Sequence, residues 1–89
     1  MSHQVPWTKK LMEDFIEEGM LTDDEAFILR TRVKGWTVTQ QALELHKSES
    51  TVHKMIRKIK IKYDRVQNQD PDKYPIRFKS KEELYMDTH

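Results

Sequence analysis

Apolar residues recur along this chain at intervals of three and four. Leu11, Met12, Phe15 and Ile16 form one set, while the run Phe27–Leu29 with Val33 supplies the apolar side of a second helix. Val38, Ala42 and Leu45 form a third, and Val52, Ile56, Ile59, Tyr63 and Val66 a fourth. That spacing puts side chains on one face of an α-helix, so four amphipathic helices are predicted. No segment alternates polar and apolar positions convincingly, and the β-branched residues fall in the helical sets. The expected fold class is all-α: a small helical bundle of about four helices.

The polar residues between the sets supply the punctuation. Pro6-Trp7-Thr8 leads into the first helix with Thr8 as an N-cap, and Gly19 is its expected stop. Thr22 opens the second helix with a capping box completed by Glu25, and Asp23 and Asp24 suit the positive end of the helix dipole. Arg30, Arg32 and Lys34 lie towards its negative end, and Gly35 closes it. A third, short helix runs from near Thr37 to Leu45, the chain turns at His46 and Lys47, and Ser48 caps the fourth helix, expected to span 49–67. From Asn68, "NQDPDKYP" holds two of the three prolines and reads as an extended linker. Ser80 and Glu83 in "SKEELYM" form a capping box that could open one last short helix. The division expected is a helical domain over 1–67 and a linker with a C-terminal extended tail over 68–89.

Composition narrows the class. A chain of 89 residues, 36% hydrophobic and 35% charged, suits one small core. With no cysteine there are neither disulfides nor thiolate metal sites. No apolar run reaches the roughly 20 residues needed to span a bilayer, and "MSHQVPWTKK" lacks the apolar stretch of a secretory signal. A soluble cytoplasmic protein is expected, with no membrane partner. The net charge of +1 is unevenly spread: residues 1–45 carry −3, residues 46–66 carry +5 and residues 67–89 carry −1. A basic segment in an acidic remainder makes one charged face.

Catalytic constellations are missing from this pattern. Two glycines make no phosphate-binding loop, and Glu17-Glu18 and Asp23-Asp24 read as solvated helix surface and dipole complement. No enzyme and no cofactor are expected. His46 and His53 stand seven apart with no carboxylate or thiol at ligand spacing, while His3 and His89 are at the ends, so no metal site is expected. Trp7 and Trp36 read as core or edge anchors rather than base-stacking platforms. Met12, Met20 and Met55 read as filler between helices, with Met55 and Ile61 off the buried stripe and partly exposed.

Two helices joined by a short turn, the second opening with small polar and basic residues, form the pattern of a helix-turn-helix. The segment Leu21–Tyr63 resembles the helix-turn-helix of LuxR-type regulators and of region four of bacterial sigma factors. The resemblance rests on Leu21-Thr22, Glu25, Gly35, Ala42, Leu45 and "SESTV" from Ser48 to Val52, in order and without a gap. It implies a compact helical domain, bacterial or phage in origin, that reads double-stranded promoter or operator DNA with the helix opening at Ser48. Val52, Ile56 and Ile59 would hold that helix against Leu29, Val33, Ala42 and Leu45. Ser50, His53, Lys54 and Arg57 would face base edges, Arg57 foremost because its fork matches guanine O6 and N7. Thr37, Thr39, Gln40, Ser48, Thr51, Lys58 and Lys62 would face phosphates, with Lys60 and Arg65 reaching only flanking backbone. Three positions depart from these families: His46 where glycine is usual, Lys47 where an aliphatic residue is frequent, and Gln41 where isoleucine is usual. They predict a less tightly packed turn.

Nothing after Tyr63 matches the dimerising last helix of LuxR-type domains. Helix-turn-helix readers nevertheless commonly use two half-sites, which favours a homodimer on DNA. The expected function is a sequence-specific, nucleoid-associated transcription regulator. The alternative is a phage- or mobile-element-encoded interaction protein, anti-CRISPR-like or binding RNA polymerase or another protein. It would use acidic Glu13, Asp14, Glu17 and Glu18 and the Tyr74–Tyr85 tail.

Overall fold

The structure, a computed structural model, describes residues 5–76. The proposed last helix after Ser80, and the tail residues beyond Ile76, lie outside the described residues. Within them the protein is an all-α bundle of four helices with no strand: α1 (Lys9–Glu18), α2 (Asp23–Val33), α3 (Val38–Leu45) and α4 (Glu49–Gln69).

All four N-termini are capped, three of them at the caps expected from the sequence, Thr8, Thr22 and Ser48. Thr8 Oγ1 accepts from the Leu11 N–H at 3.1 Å, and Ser48 Oγ accepts from the Thr51 N–H at 3.1 Å. The Thr22–Glu25 box is closed in both directions, Thr22 N–H to Glu25 Oε1 at 3.0 Å and Glu25 N–H to Thr22 Oγ1 at 3.2 Å. A second box, between Thr37 and Gln40, opens α3. Each satisfies amides that the first helical turn leaves without partners.

The first three helices end alike. In α1 the Leu21 N–H returns to Ile16 O and the Met20 N–H to Glu17 O; in α2 Trp36 returns to Thr31 and Gly35 to Arg32; in α3 Lys47 returns to Ala42 and His46 to Leu43. The closure needs one left-handed residue. These residues are Met20 (φ 54°), Gly35 (φ 97°) and His46 (φ 56°). Gly19, expected as the stop of α1, is right-handed at φ −81°. Its lack of a side chain serves packing instead: a Cβ there would sit 2.8 Å from Phe15 Cε1 and 2.9 Å from the Phe15 carbonyl oxygen.

α4 packs against all three other helices, and α2 also packs against α3. The buried stripe of α4 is Val52, Ile59, Tyr63 and Val66, with Ile56 and Met55 half-buried beside it. These join Phe15, Ile28, Leu29 and Ala42 in one core. Val33, expected in that core, is 43% exposed; it is the last residue of α2, where the chain is already turning away. Ile61 is 63% exposed, as its position off the stripe predicts.

An aromatic cluster closes the end of the bundle where α1 meets α4. Trp7 stacks on Phe15 with centroids 5.7 Å apart, and Tyr63 meets Phe15 edge-on at 5.2 Å. Tyr74 joins from beyond α4, edge-on to Tyr63 at 5.9 Å and fully buried. The helix therefore runs to Gln69, two residues past its expected end. The chain then turns at Asp70–Tyr74 and lies back on α1 as a strap. Lys73 Nζ reaches Glu18 at 2.7 Å and Asp14 at 3.2 Å, and Tyr63 Oη donates to Pro75 O at 2.5 Å.

Candidate nucleic-acid interface

α3 and α4 are joined by the three residues His46–Ser48. The left-handed His46 makes that turn short, so the start of α4 follows directly on the end of α3. With Val52, Ile59, Tyr63 and Val66 turned into the core, Ser50, His53, Lys54, Arg57 and Lys58 are all exposed. Lys54 and Arg57 have no ion-pair partner among the described residues, so their charges are available to an outside anion. Among the candidate base-edge residues the structure therefore brings all four to one outer face of a helix.

The candidate phosphate residues divide. Ser48 and Thr51 bond to each other, Ser48 Oγ to Thr51 Oγ1 at 2.9 Å, at the start of α4. Thr37 and Gln40 are engaged in their capping box: the Thr37 N–H donates to Gln40 Oε1 at 2.8 Å and the Gln40 N–H to Thr37 Oγ1 at 3.1 Å. The Gln40 carboxamide keeps its N–H groups for other partners. Thr39 Oγ1 donates to Glu49 Oε2 at 2.9 Å. Lys62 does not join this face. Its ammonium lies 2.5 Å from Glu25 Oε1, half-buried between α4 and α2. Arg65 Nη2 lies 3.4 Å from Gly19 O, beside α1.

Glu25 thus does two jobs, closing the cap of α2 and fixing α4 to it. Burial pushes its carboxyl pKa up. The Lys62 ammonium, the Thr22 N–H and the charges of Lys62 and Lys58 outweigh that and hold it below the usual carboxylate range. Lys47, in the turn, lies 3.7 Å from Asp24 at the start of α2.

The acidic helix is largely neutralised inside the molecule. Arg30 grips Glu13 through two hydrogen bonds at 3.0 and 2.8 Å, and Lys10 and Lys73 flank Asp14 at 3.2 Å each. These hydrogen-bonded cations lower the pKa values of Glu13, Asp14 and, through Lys73, Glu18. Glu17, exposed on the same helix, takes no part in these pairs.

Sequence reasoning missed Gln41 and Glu49. Gln41 is fully buried, its Nε2 donating to Ile28 O at 3.0 Å and to Thr31 Oγ1 at 2.8 Å. The departure from isoleucine thus becomes a polar bridge between α3 and α2. Its signal was the buried-face position between Val38 and Ala42 together with a polar Thr31 on the facing helix. Glu49 passed as part of the "SESTV" pattern, though an acid inside a basic segment was itself a signal.

No described helix is long and apolar enough to cross a membrane, and no cluster of His, Asp or Glu among the described residues could hold a metal ion. The fold is a four-helix all-α bundle. No protein-family model matches the chain, and no curated protein or solved structure matches it. The resemblance to LuxR-type and sigma region four readers therefore stands on the residues of Leu21–Tyr63 alone.

Proposed function

We propose that this protein is a sequence-specific binder of double-stranded DNA, a helix-turn-helix regulator of the LuxR and sigma-region-four kind. In this reading α4 enters the major groove by its N-terminal turns. Arg57 and Lys54 meet base edges with Ser50 and His53, while Ser48, Thr51, Lys58 and the start of α3 meet the backbone. One observation carries the reading: on a helix whose opposite face is core, the first three turns expose small polar and unpaired basic side chains together. Small side chains permit close approach, and the longer ones reach into a groove about 12 Å wide. A homodimer reading two half-sites fits this use. RNA polymerase contact and a nucleoid location would follow from a regulatory role.

The test is a fluorescence-anisotropy titration on duplexes selected from a random pool, at several salt concentrations. Neutralising about five phosphates gives a slope of log K against log salt of about −4 to −5. Arg57→Ala should weaken selected duplexes by about 1–3 kcal/mol and relax one base position, whereas Lys58→Ala should weaken all duplexes alike. Binding without an enriched motif and unchanged by Arg57→Ala would overturn the reading. The protein-interaction alternative would then be pursued, although three of the four acids of α1 that it relied on, Glu13, Asp14 and Glu18, are held by Arg30, Lys10 and Lys73.

A further inference from the structure

Glu49 is the first residue of α4, exposed, and the one acid on the leading turn of an otherwise neutral or basic face. A carboxylate there opposes phosphate, and a face that only gripped the DNA backbone would do better without it. It is also held: Thr39, from the first turn of α3, donates its hydroxyl to Glu49 Oε2 at 2.9 Å. That leaves Oε1 and the second lone pair of Oε2 as acceptors with no donor among the described residues. The Thr39 hydroxyl proton, assigned above to phosphate, is spent on this carboxylate. Two helix starts thus converge on a fixed acceptor that points no donor outward.

In the major groove, the base edge that a pure acceptor recognises is an exocyclic amine. Cytosine N4 offers such a donor. Guanine presents only O6 and N7, and thymine only O4 and its methyl, so both would place acceptor or apolar atoms against a carboxylate. Adenine N6 is flanked by the N7 acceptor, which a carboxylate cannot satisfy. We propose that Glu49, positioned by Thr39, is a specificity-determining residue that selects cytosine at the base pair facing the first turn of α4. It also lowers affinity for unselected DNA. The proposal rests on the DNA-binding reading above and extends it to a residue and a base.

The experiment is parallel selection from a random duplex pool by the wild-type protein, Glu49→Gln, Glu49→Ala and Thr39→Val, each first checked for helical content and cooperative melting. The wild type should enrich cytosine at one position by about ten- to a hundredfold. Glu49→Gln should move that position towards adenine, because a carboxamide can pair with both N6 and N7. Glu49→Ala should lose the preference and bind random duplexes more tightly. Thr39→Val, which keeps the charge and loses its anchor, should weaken the preference without reversing it. A motif identical in the wild type and both Glu49 variants would overturn the role of Glu49 and leave the DNA-binding reading standing. Absence of salt-dependent duplex binding by all four proteins would overturn both. A merely structural role for Glu49 as a helix-dipole partner would shift melting and leave the selected base unchanged, and that result would also overturn the proposal.

Discussion

Met20 occupies left-handed backbone at φ 54° while its side chain is 73% exposed. A side chain in that region crowds the following carbonyl by roughly 1–2 kcal/mol, which glycine avoids. Little packing is lost on removing an exposed Met. Met20→Gly should therefore raise stability by about 0.5–1 kcal/mol after the greater freedom of unfolded glycine is counted, read as a higher urea midpoint at unchanged slope. Gly19→Ala, one residue earlier, should do the opposite by about 1–3 kcal/mol, because its Cβ would press on Phe15 and on a backbone oxygen. The sequence shows Gly19 near the end of α1 but not which neighbour takes the left-handed turn, since the choice depends on the packing of Phe15 under Gly19. At His46 the same reading succeeds, because there the resemblance fixes the turn position and histidine tolerates positive φ. Tyr74 shows a different limit at this scale. Its buried hydroxyl makes no short, well-aligned hydrogen bond among the described residues, but it lies close enough to the Glu18 carboxylate that burial, with that carboxylate as a weak acceptor, pushes its pKa up to about 12. A buried hydroxyl left unsatisfied costs about 1–3 kcal/mol. With Glu18 only a weak acceptor, Tyr74→Phe should change stability by less than about 1 kcal/mol, while Tyr74→Ala should cost about 3–5 kcal/mol, as buried aromatic truncations do. Thermal unfolding of the two variants separates hydroxyl from ring.

Among the elements, the four helices were legible because caps and apolar spacing agree: Thr8, Thr22, Thr37 and Ser48 each stand immediately before a helix. Ties between helices were less legible, since they join residues far apart in sequence. Lys62 reads as one more cation of a basic helix, and only the packing of α4 on α2 brings it to Glu25. Gln41 reads as a defect until Thr31 is seen opposite it. The Glu25–Lys62 tie has a pH signature. The folded Glu25 pKa lies below its ordinary value of 4.5, so the stabilisation is complete above about pH 4.5 and is lost as pH falls through the folded value. Lys62→Met should cost about 1–2 kcal/mol at pH 7, because it leaves a buried carboxylate with only its cap amide. The gap to wild type should close in acid as that carboxylate protonates. Urea titrations of both proteins at pH 7 and below pH 4 measure it, and a gap independent of pH would assign the loss to packing of the lysine stem.

For the whole molecule, the candidate interface and the aromatic cluster sit towards opposite ends of α4. The outward residues of the α3–turn–α4 unit carry the candidate interface, whereas Trp7, Phe15, Tyr63 and Tyr74 gather where α1 meets α4. The pattern of "NQDPDKYP" suggested a linker because prolines and polar residues dominate it. One buried tyrosine and one lysine anchored on Glu18 are enough to make it part of the fold. The strap and α1 hold each other through Lys73 and Tyr74, and both rest on α4 through Tyr63. Neither can leave without uncovering the rings beneath the other, so they should unlatch as a single cooperative unit. In native-state hydrogen exchange, the amides of α1 and of Lys73 and Tyr74 should share one opening free energy. Those of α3 and the first turns of α4 should keep a separate, higher one. Such partitioning would let the far end of the bundle breathe, accept mutation or be gripped by a protease while the α3–turn–α4 unit keeps its shape.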